Sequence, residues 1–206
     1  MRKRDFMKKR GRIFVLMGPS GVGKTTLVKE MIKRFGAECS LAWLPTYTTR
    51  EAREGEVFGV DYFFITPERF QQMQQAGKLL EWSSHYKALY GTGRDEVEAA
   101  LAQGKNVLLA IDRQGAGAVK KLFPSTRVVL VVAPSEEVLK QRISKRTAQS
   151  EEVTAFRLER AREELKEEAA EPLADEVLVN NQLEEALEAL KKVISGTVLS
   201  ENHVSF

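Results

Sequence analysis

The chain has 206 residues, of which 43% are hydrophobic and 30% charged, a composition typical of a globular domain with a substantial core. Its formal net charge of +3 arises in the first twelve residues, which hold seven Lys or Arg and one acid, whereas the remainder has 25 bases and 28 acids. This balance argues against nucleic-acid binding by the folded body. No segment approaches the ~18 apolar residues that a membrane span requires.

The termini and the single cysteine indicate where the folded domain ends and in which compartment the protein is expected. We expect residues 1–11 to be a disordered basic tail and residues 196–206 a C-terminal tail. No apolar stretch of the signal-peptide type follows the basic start. Cys39 has no second cysteine with which to form an internal disulfide, which is typical of a reducing compartment. We therefore expect a cytoplasmic protein, and its oligomeric state stays open.

The first predicted elements are a strand, a loop and a helix. Residues 12–17, RIFVLM, form an apolar run that ends at a glycine, and the amphipathic KTTLVKEMIKRF follows at 24–35. Further short, β-branched apolar runs lie at 106–111, 127–133 and 175–180, separated by helical patterns. Runs of this kind are typical of buried parallel strands flanked by helices, so the predicted fold class is α/β.

Three sequence signals mark the ends of the helices. Gly104 is placed to end the helix that precedes the 106–111 strand. Ser135 can cap the helix that follows the 127–133 strand. Asn181, with Glu184 three residues later, can form a capping box before the last helix.

Two segments interrupt the strand–helix alternation. Residues 46–92 read as short strands and turns around one helix, for which Thr66 is the predicted cap. Residues 136–168 read as a pair of helices rich in Arg and Glu. The predicted domain at 12–195 therefore has a core of residues 12–45, 93–135 and 169–195 and two insertions, which we expect to close over a common ligand.

The strongest motif is GPSGVGKT at residues 18–25, which matches the P-loop pattern G-x-x-x-x-G-K-[ST] between a predicted strand and a predicted helix. In such a loop, inward-facing backbone N–H groups and the helix N-terminus hold phosphates, Lys24 reaches the β- and γ-oxygens, and Thr25 can ligate Mg²⁺. The predicted ATP-binding residues are Gly18, Pro19, Ser20, Gly21, Val22, Gly23, Lys24, Thr25 and Thr26.

A P-loop by itself does not separate GTPases, ATPases and small-molecule kinases. The sequence DRQG at 112–115 matches the D-x-x-G of GTPase switch regions. No N-K-x-D motif, which reads the base in GTPases, follows it. The GTPase interpretation is therefore a minor alternative.

A pair of arginines in TYTTREAREGE, residues 46–56, suggests a second phosphate site. Arg50 and Arg53 lie among hydroxyl-bearing residues directly after a predicted strand. Guanidinium forks match phosphate geometry and stay charged, so the pair could hold an acceptor phosphate. Taken alone, arginines among acids are more often a solvated surface.

With these residues the chain resembles the guanylate kinase family. The family's P-loop, S-x-T-T-R-x-P-R-x-G-E, G-x-D-Y-x-F, F-L-E, Y-G-T and I-D-x-Q-G motifs occur in the same order across residues 13–195. They read here as TYTTREAREGE, GVDYFF, LLE, YGT and IDRQG. The resemblance implies a P-loop NTPase fold with a GMP-binding insertion and a helical lid, Mg·ATP as donor and GMP as acceptor.

The resemblance also implies roles for individual residues. It places Arg50, Arg53, Tyr62 and Tyr90 on the GMP phosphate, with Thr46 where serine is usual. It assigns base recognition to Glu81, Thr92 and Asp112, and the lid arginines Arg142, Arg146 and Arg157 to the ATP phosphates. A carboxylate can accept both guanine N1–H and the N2 amino group, whereas adenine offers an acceptor at N1, so Glu81 would favour GMP over AMP.

The chain departs from the family pattern at a few positions. Ala110 replaces an acid near the P-loop, Lys87 and Leu89 replace a glycine and a tyrosine, and Asn181 replaces an Asp in the adenine-side loop that begins at Asn180. Two alternatives to a GMP kinase stay open: a guanylate-kinase-like protein-interaction module, and a kinase for another small phosphate acceptor.

Overall fold

The computed structural model describes residues 10–85, 88–146 and 151–197. The strands are β1 Ile13–Met17, β2 Leu41–Ala42, β3 Thr46–Thr48, β4 Tyr62–Phe64, β5 Leu79–His85, β6 Ala88–Gly93, β7 Asn106–Ala110, β8 Arg127–Val132 and β9 Glu176–Val179. The helices are α1 Lys24–Phe35, α2 Pro67–Gln75, α3 Arg94–Ala102, α4 Arg113–Leu122, α5 Glu136–Arg146, α6 Glu151–Ala170 and α7 Leu183–Ser195. The α/β class is therefore confirmed.

The central sheet is five-stranded and parallel, in the order β2-β7-β1-β8-β9. Four of its strands lie where the apolar runs predicted them, and β2 was not predicted. Because side chains alternate along a strand, β1 supplies both layers of the core. Phe14 and Leu16 face the layer that contains α1 and α7, and Ile13, Val15 and Met17 face the layer that contains α3 and α4.

The first insertion forms a second sheet of its own, in the order β4-β3-β6-β5. Its strands β3 and β4 are parallel, and β6 runs antiparallel to both of its neighbours. Helix α2 covers this sheet through Phe70 and Met73, which form a small core with Leu79. The insertion therefore has separate packing, and it meets the central core where β5 contacts α4.

The charged helices α5 and α6 are anchored in the main core. Leu139 and Ile143 of α5 and Leu158 and Ala161 of α6 belong to the same buried cluster as α1 and α7. At its C-terminal end α6 is tied to α4 by an ion pair between Arg113 and the buried Glu168. The region predicted as a lid is therefore packed onto the main core at one end. Helix α6 ends two residues beyond the predicted boundary at 168.

Three of the predicted helix ends are confirmed in detail. Gly104 follows α3 with a φ of 78°, Ser135 Oγ accepts the N–H of Val138 at 3.3 Å, and Thr66 Oγ1 caps α2 by accepting the N–H of Arg69 at 3.2 Å. The predicted capping box at Asn181 is wrong, because α7 begins at Leu183 with Gln182 as its N-cap and no side-chain cap bond. In the part of the chain that is described, no helix is long and apolar enough to cross a membrane.

The predicted tails lie largely outside the described residues, namely 1–9 and 198–206. At the boundary, Gly11 N–H donates to the carbonyl oxygen of Leu101 at 3.0 Å. The chain is therefore already attached to the central core at residue 11.

Candidate active site

The P-loop connects β1 to α1 in the geometry of a phosphate cradle. Gly18, Gly21 and Gly23 have φ values of 128°, 92° and 101°, a region that side-chain-bearing residues rarely adopt. Gly23 is the N-cap of α1, and no side chain caps the helix there. The N-terminus of α1 is therefore a place that the helix dipole makes favourable for an anion.

Helix α5 and Asn180 pack closely against the P-loop and restrict its conformation. A side chain at Gly21 would begin 2.8 Å from Ile143 Cγ1 of α5, and one at Gly23 would begin 2.5 Å from Asn180 Nδ2. The same Asn180 amide donates to the carbonyl oxygen of Val22 at 2.7 Å and is buried. Asn180 is therefore a support for the P-loop, a role that the sequence did not indicate.

The side chain of Lys24 lies folded across its own loop. Its ammonium donates to the carbonyl oxygen of Gly18 and, at 3.0 Å, to that of Pro19. A triphosphate in the cradle would offer this ammonium charged oxygens in place of the neutral carbonyls, and such bonds are stronger. Lys24 therefore has a local structural role as well as its predicted one.

Glu81 and Thr92 meet between the insertion and the central core. They are opposite each other on β5 and β6, and Thr92 Oγ1 donates to Glu81 Oε1 at 2.5 Å. Glu81 is only 5% exposed and Thr92 only 3%. Burial of a carboxylate is costly unless hydrogen bonds compensate it, and the bond from Thr92 supplies part of that compensation.

Asp112 lies beside this pair at the start of α4. Its Oδ1 accepts the N–H of Gly115 at 2.7 Å and caps the helix. A side chain at Gly115 would begin 2.8 Å from Glu81 Oε2 and 3.3 Å from Asp112 Oδ1. The fold therefore brings all three predicted base-recognition residues together, and only glycine allows both carboxylates to approach position 115.

Arg50 forms the centre of the predicted acceptor-phosphate site. Its guanidinium carbon lies 5.3 Å from the ring centre of Tyr62 and 5.8 Å from that of Phe64. Its terminal nitrogens both bond to Glu56, at 2.9 Å each, and this pairing raises the pKa of Arg50. Arg50 Nε is buried and has no hydrogen-bond partner among the described residues. A buried donor of this kind is what an incoming phosphate oxygen would satisfy.

The other residues predicted to bind the acceptor phosphate differ in how buried they are. Tyr62 and Tyr90 have ring centres 6.2 Å apart, and burial raises the pKa of Tyr62. Thr46 pairs with Tyr62 across the parallel strands β3 and β4. Arg53 has an exposed side chain, and its backbone N–H donates to Glu56 Oε2 at 2.8 Å. Glu56 is the last residue of the TYTTREAREGE motif, and no role was predicted for it.

The lid arginines come from both charged helices. Arg142 Nη2 donates to the carbonyl oxygen of Asn181 at 3.2 Å, and its Nη1 is buried without a hydrogen-bond partner among the described residues. Arg157 is half-buried on α6. Arg146 ends α5, and its side chain lies outside the described part of the chain.

Two of the departures from the family pattern are visible as packing positions. Ala110 ends β7, is half-buried and packs against the main core cluster. Leu89 packs on the Phe70 cluster of the insertion, and its backbone exchanges hydrogen bonds with Thr49. Lys87 lies outside the described residues.

Comparison with known proteins gives one consistent result. The family model described as guanylate kinase matches residues 10–197. A guanylate kinase of Oceanobacillus iheyensis is 39% identical over 97% of this chain and 94% of its own length, and one of Synechocystis is 44% identical over 90% and 94%. The crystal structure of guanylate kinase from Anaplasma phagocytophilum superposes with a TM-score of 0.73 at 28% identity, covering 91% of this chain and 86% of that one.

A P-loop at the end of a central parallel strand defines a P-loop nucleotide-binding protein. The relatives compared above are named as guanylate kinases, so the class is that of the nucleoside monophosphate kinases. The family match over nearly the whole chain makes the assignment specific. The chain belongs to the guanylate kinase family.

This assignment removes the GTPase alternative. The DRQG motif forms the start of α4, where Asp112 caps the helix and a side chain at Gly115 would meet the carboxylates of Glu81 and Asp112. The protein-interaction alternative also loses support. The P-loop glycines have the conformations that phosphate binding needs, and the relatives compared above are named as guanylate kinases.

Proposed function

We propose that this enzyme transfers the γ-phosphoryl group of ATP to the phosphate of GMP and releases ADP and GDP. The main support for GMP as the acceptor is the buried carboxylate of Glu81. It accepts a hydrogen bond from Thr92 and lies near Asp112, where the insertion meets the core. A carboxylate in this place is complementary to the N1–H and N2 donors of guanine and opposes the N1 acceptor of adenine.

The transfer itself requires alignment rather than covalent chemistry by the protein. An oxygen of the GMP phosphate attacks the γ-phosphorus of ATP while the bond to the β–γ bridging oxygen breaks, and ADP leaves with that electron pair. The groups proposed to hold the two ends are the P-loop with Lys24 on the donor side and Arg50 on the acceptor side. Arg142 and Arg157 supply positive charge from the lid.

The residues around the P-loop are compatible with a magnesium ion carried by the nucleotide. Thr25 is an exposed residue at the start of α1, and the described residues contain no cluster of His, Cys, Asp or Glu that could hold a metal by itself. Mg²⁺ often binds proteins through few side chains plus substrate phosphates and water. When bound, it would neutralise charge on the β- and γ-phosphates, and Thr25 would be its protein ligand.

The absence of an acid at Ala110 predicts a high magnesium requirement. Ala110 lies two residues before Asp112 and pairs with Leu16, which is two residues before Gly18, so an acid here would lie near the metal's outer shell. Outer-shell partners change metal affinity or activity by about 10- to 100-fold. We expect Ala110→Asp to lower the Mg²⁺ concentration for half-maximal rate. An unchanged Mg²⁺ titration from a folded variant would show that position 110 serves packing only.

The two insertions predict a closure on binding. The acceptor residues lie on the small sheet and the lid arginines on α5 and α6, and transfer must exclude water from between them. We expect the radius of gyration from solution scattering to fall when GMP and a non-hydrolysable ATP analogue bind together. AMP in place of GMP is the control. Equal scattering curves for the free and doubly liganded protein would contradict closure.

The proposal is tested by coupled ADP release with ATP and a panel of GMP, dGMP, AMP, CMP and UMP. We expect turnover with the guanine nucleotides and little with the others. Turnover with a different monophosphate would indicate a kinase for another acceptor. No turnover with any of them, from a folded protein, would favour the protein-interaction module.

A further inference from the structure

Glu56 makes more contacts in the acceptor-phosphate site than a surface acid would. Its Oε1 accepts from Arg50 Nη2 and its Oε2 from Arg50 Nη1, each at 2.9 Å, which is a two-bond fork. Its Oε2 also accepts the backbone N–H of Arg53 at 2.8 Å. The side chains of Arg50 and Glu56 are 17% and 20% exposed. The pair is therefore well shielded from water, and its bonds are stronger than those of an exposed ion pair.

The fork does not use the Nε–H of Arg50. Arg50 Nη1 also donates to the carbonyl oxygen of Glu51 at 2.6 Å. By contrast, Arg50 Nε is buried with no hydrogen-bond partner among the described residues. The contacts at the terminal nitrogens thus hold the guanidinium so that its Nε–H remains for another ligand.

Glu56 is itself held in place by backbone hydrogen bonds. This distinguishes a carboxylate that orients Arg50 from one that competes with the GMP phosphate for it. The N–H of Glu56 donates to the carbonyl oxygen of Arg53 at 3.0 Å and closes a turn, and the N–H of Arg53 donates to the carboxylate. A carboxylate that merely occupied the phosphate position would have to leave when GMP enters. This one is tied to the backbone and bonds the far end of the guanidinium, so it can stay.

We propose that Glu56 is a positioning residue for the acceptor phosphate: it holds Arg50 by the terminal nitrogens and directs the Nε–H towards the phosphate of GMP. This inference rests on the proposed function. It gives Glu56 no direct contact with the nucleotide, so its effect passes through Arg50 and concerns the phosphate and not the guanine base.

The test compares Glu56→Gln with Glu54→Gln, a matched change at an exposed acid of the same loop. Loss of a charged hydrogen-bonded partner should raise KM for GMP by about 10- to 100-fold in Glu56→Gln, with KM for ATP unchanged. Guanosine, used as a competitive inhibitor without a phosphate, should bind both variants as well as it binds the wild type. Glu56→Asp should recover part of the loss because it keeps the charge.

Combination with Arg50→Lys gives an independent readout. If Glu56 acts through Arg50, adding Glu56→Gln to Arg50→Lys should raise KM for GMP far less than it does alone. A guanosine affinity that falls together with that of GMP would show a general structural role and overturn the proposal. A KM for GMP that decreases would show that Glu56 competes with the phosphate, and an unchanged KM would show that it does neither.

These outcomes are separate from a failure of the proposed function. If the wild type fails to phosphorylate GMP, the acceptor assignment is wrong before Glu56 is considered. If the wild type is active and Glu56→Gln behaves as Glu54→Gln does, only the role of Glu56 is wrong.

Discussion

Replacing Lys24 with alanine is expected to lower kcat by about 10²- to 10³-fold or more, the usual loss when one preorganised donor to developing charge is removed. The ammonium lies in the P-loop at the start of α1, where it can follow the transferring phosphoryl group. The measurement is coupled ADP release at saturating ATP and GMP. Turnover within a few-fold of the wild type would contradict the phosphoryl-transfer mechanism.

The control for this prediction must address the second role of Lys24. Because its ammonium bonds to the carbonyl oxygens of Gly18 and Pro19, the alanine variant also loses local contacts in the loop. Lys33→Ala removes an exposed lysine from the same helix and should leave kcat unchanged. Thermal unfolding and GMP binding should be close to wild type in both variants if the loss at Lys24 is one of catalysis.

Replacing Glu81 with glutamine is expected to lower kcat/KM for GMP by about 10²-fold, since two donors of guanine lose a charged acceptor and meet an amide N–H. Thr92 donates to Oε1, so the amide can keep that bond only by turning its NH₂ towards the base. Activity with AMP should not fall in parallel, because adenine does not use the lost acceptor. KM for ATP serves as an internal control.

The outcome that would remove Glu81 from base recognition is an equal proportional loss with GMP and AMP. The amide has nearly the same shape as the acid, so an unfolded variant is not expected. A difference between the two acceptors therefore reports on recognition, whereas a common loss would report on the architecture of the junction.

The sequence predicted the central fold well because its signals are local. An apolar run, a glycine loop and an amphipathic stretch specify β1, the P-loop and α1, and α1 has the predicted bounds of 24–35. Strand β2 was missed because two residues are too short for a period to be read. The capping box failed at Asn181 for a tertiary reason. Asn180 bonds to the P-loop, and the helix starts after Gln182.

The site was predictable at the level of motifs and not of contacts. The predicted base-recognition residues do meet, although position 81 is 31 residues from position 112 and nothing local links them. The bond of Glu56 to Arg50 lies within one loop, yet in sequence it looks the same as a solvated ion pair. The Arg113–Glu168 pair spans 55 residues and has no sequence signature. Trp82 is 49% exposed, because it alternates with the buried Glu81 along β5.

The register between β1 and β7 has a consequence for how the two nucleotides are aligned. Leu16 pairs with Ala110 on neighbouring strands, which in sheets lie about 4.8 Å apart, and Gly18 and Asp112 each follow two residues later, just beyond the ends of these strands. The strand pairing therefore sets the distance between the start of the P-loop and Asp112, which we propose belong to the donor and acceptor sites. Closure of the insertions can change the access of water and the charge around the nucleotides. The distance between Gly18 and Asp112 is set instead by the pairing of β1 with β7. A one-residue slip of β7 would move Asp112 by about 3.3 Å and misalign the reactants without altering a single residue that touches them.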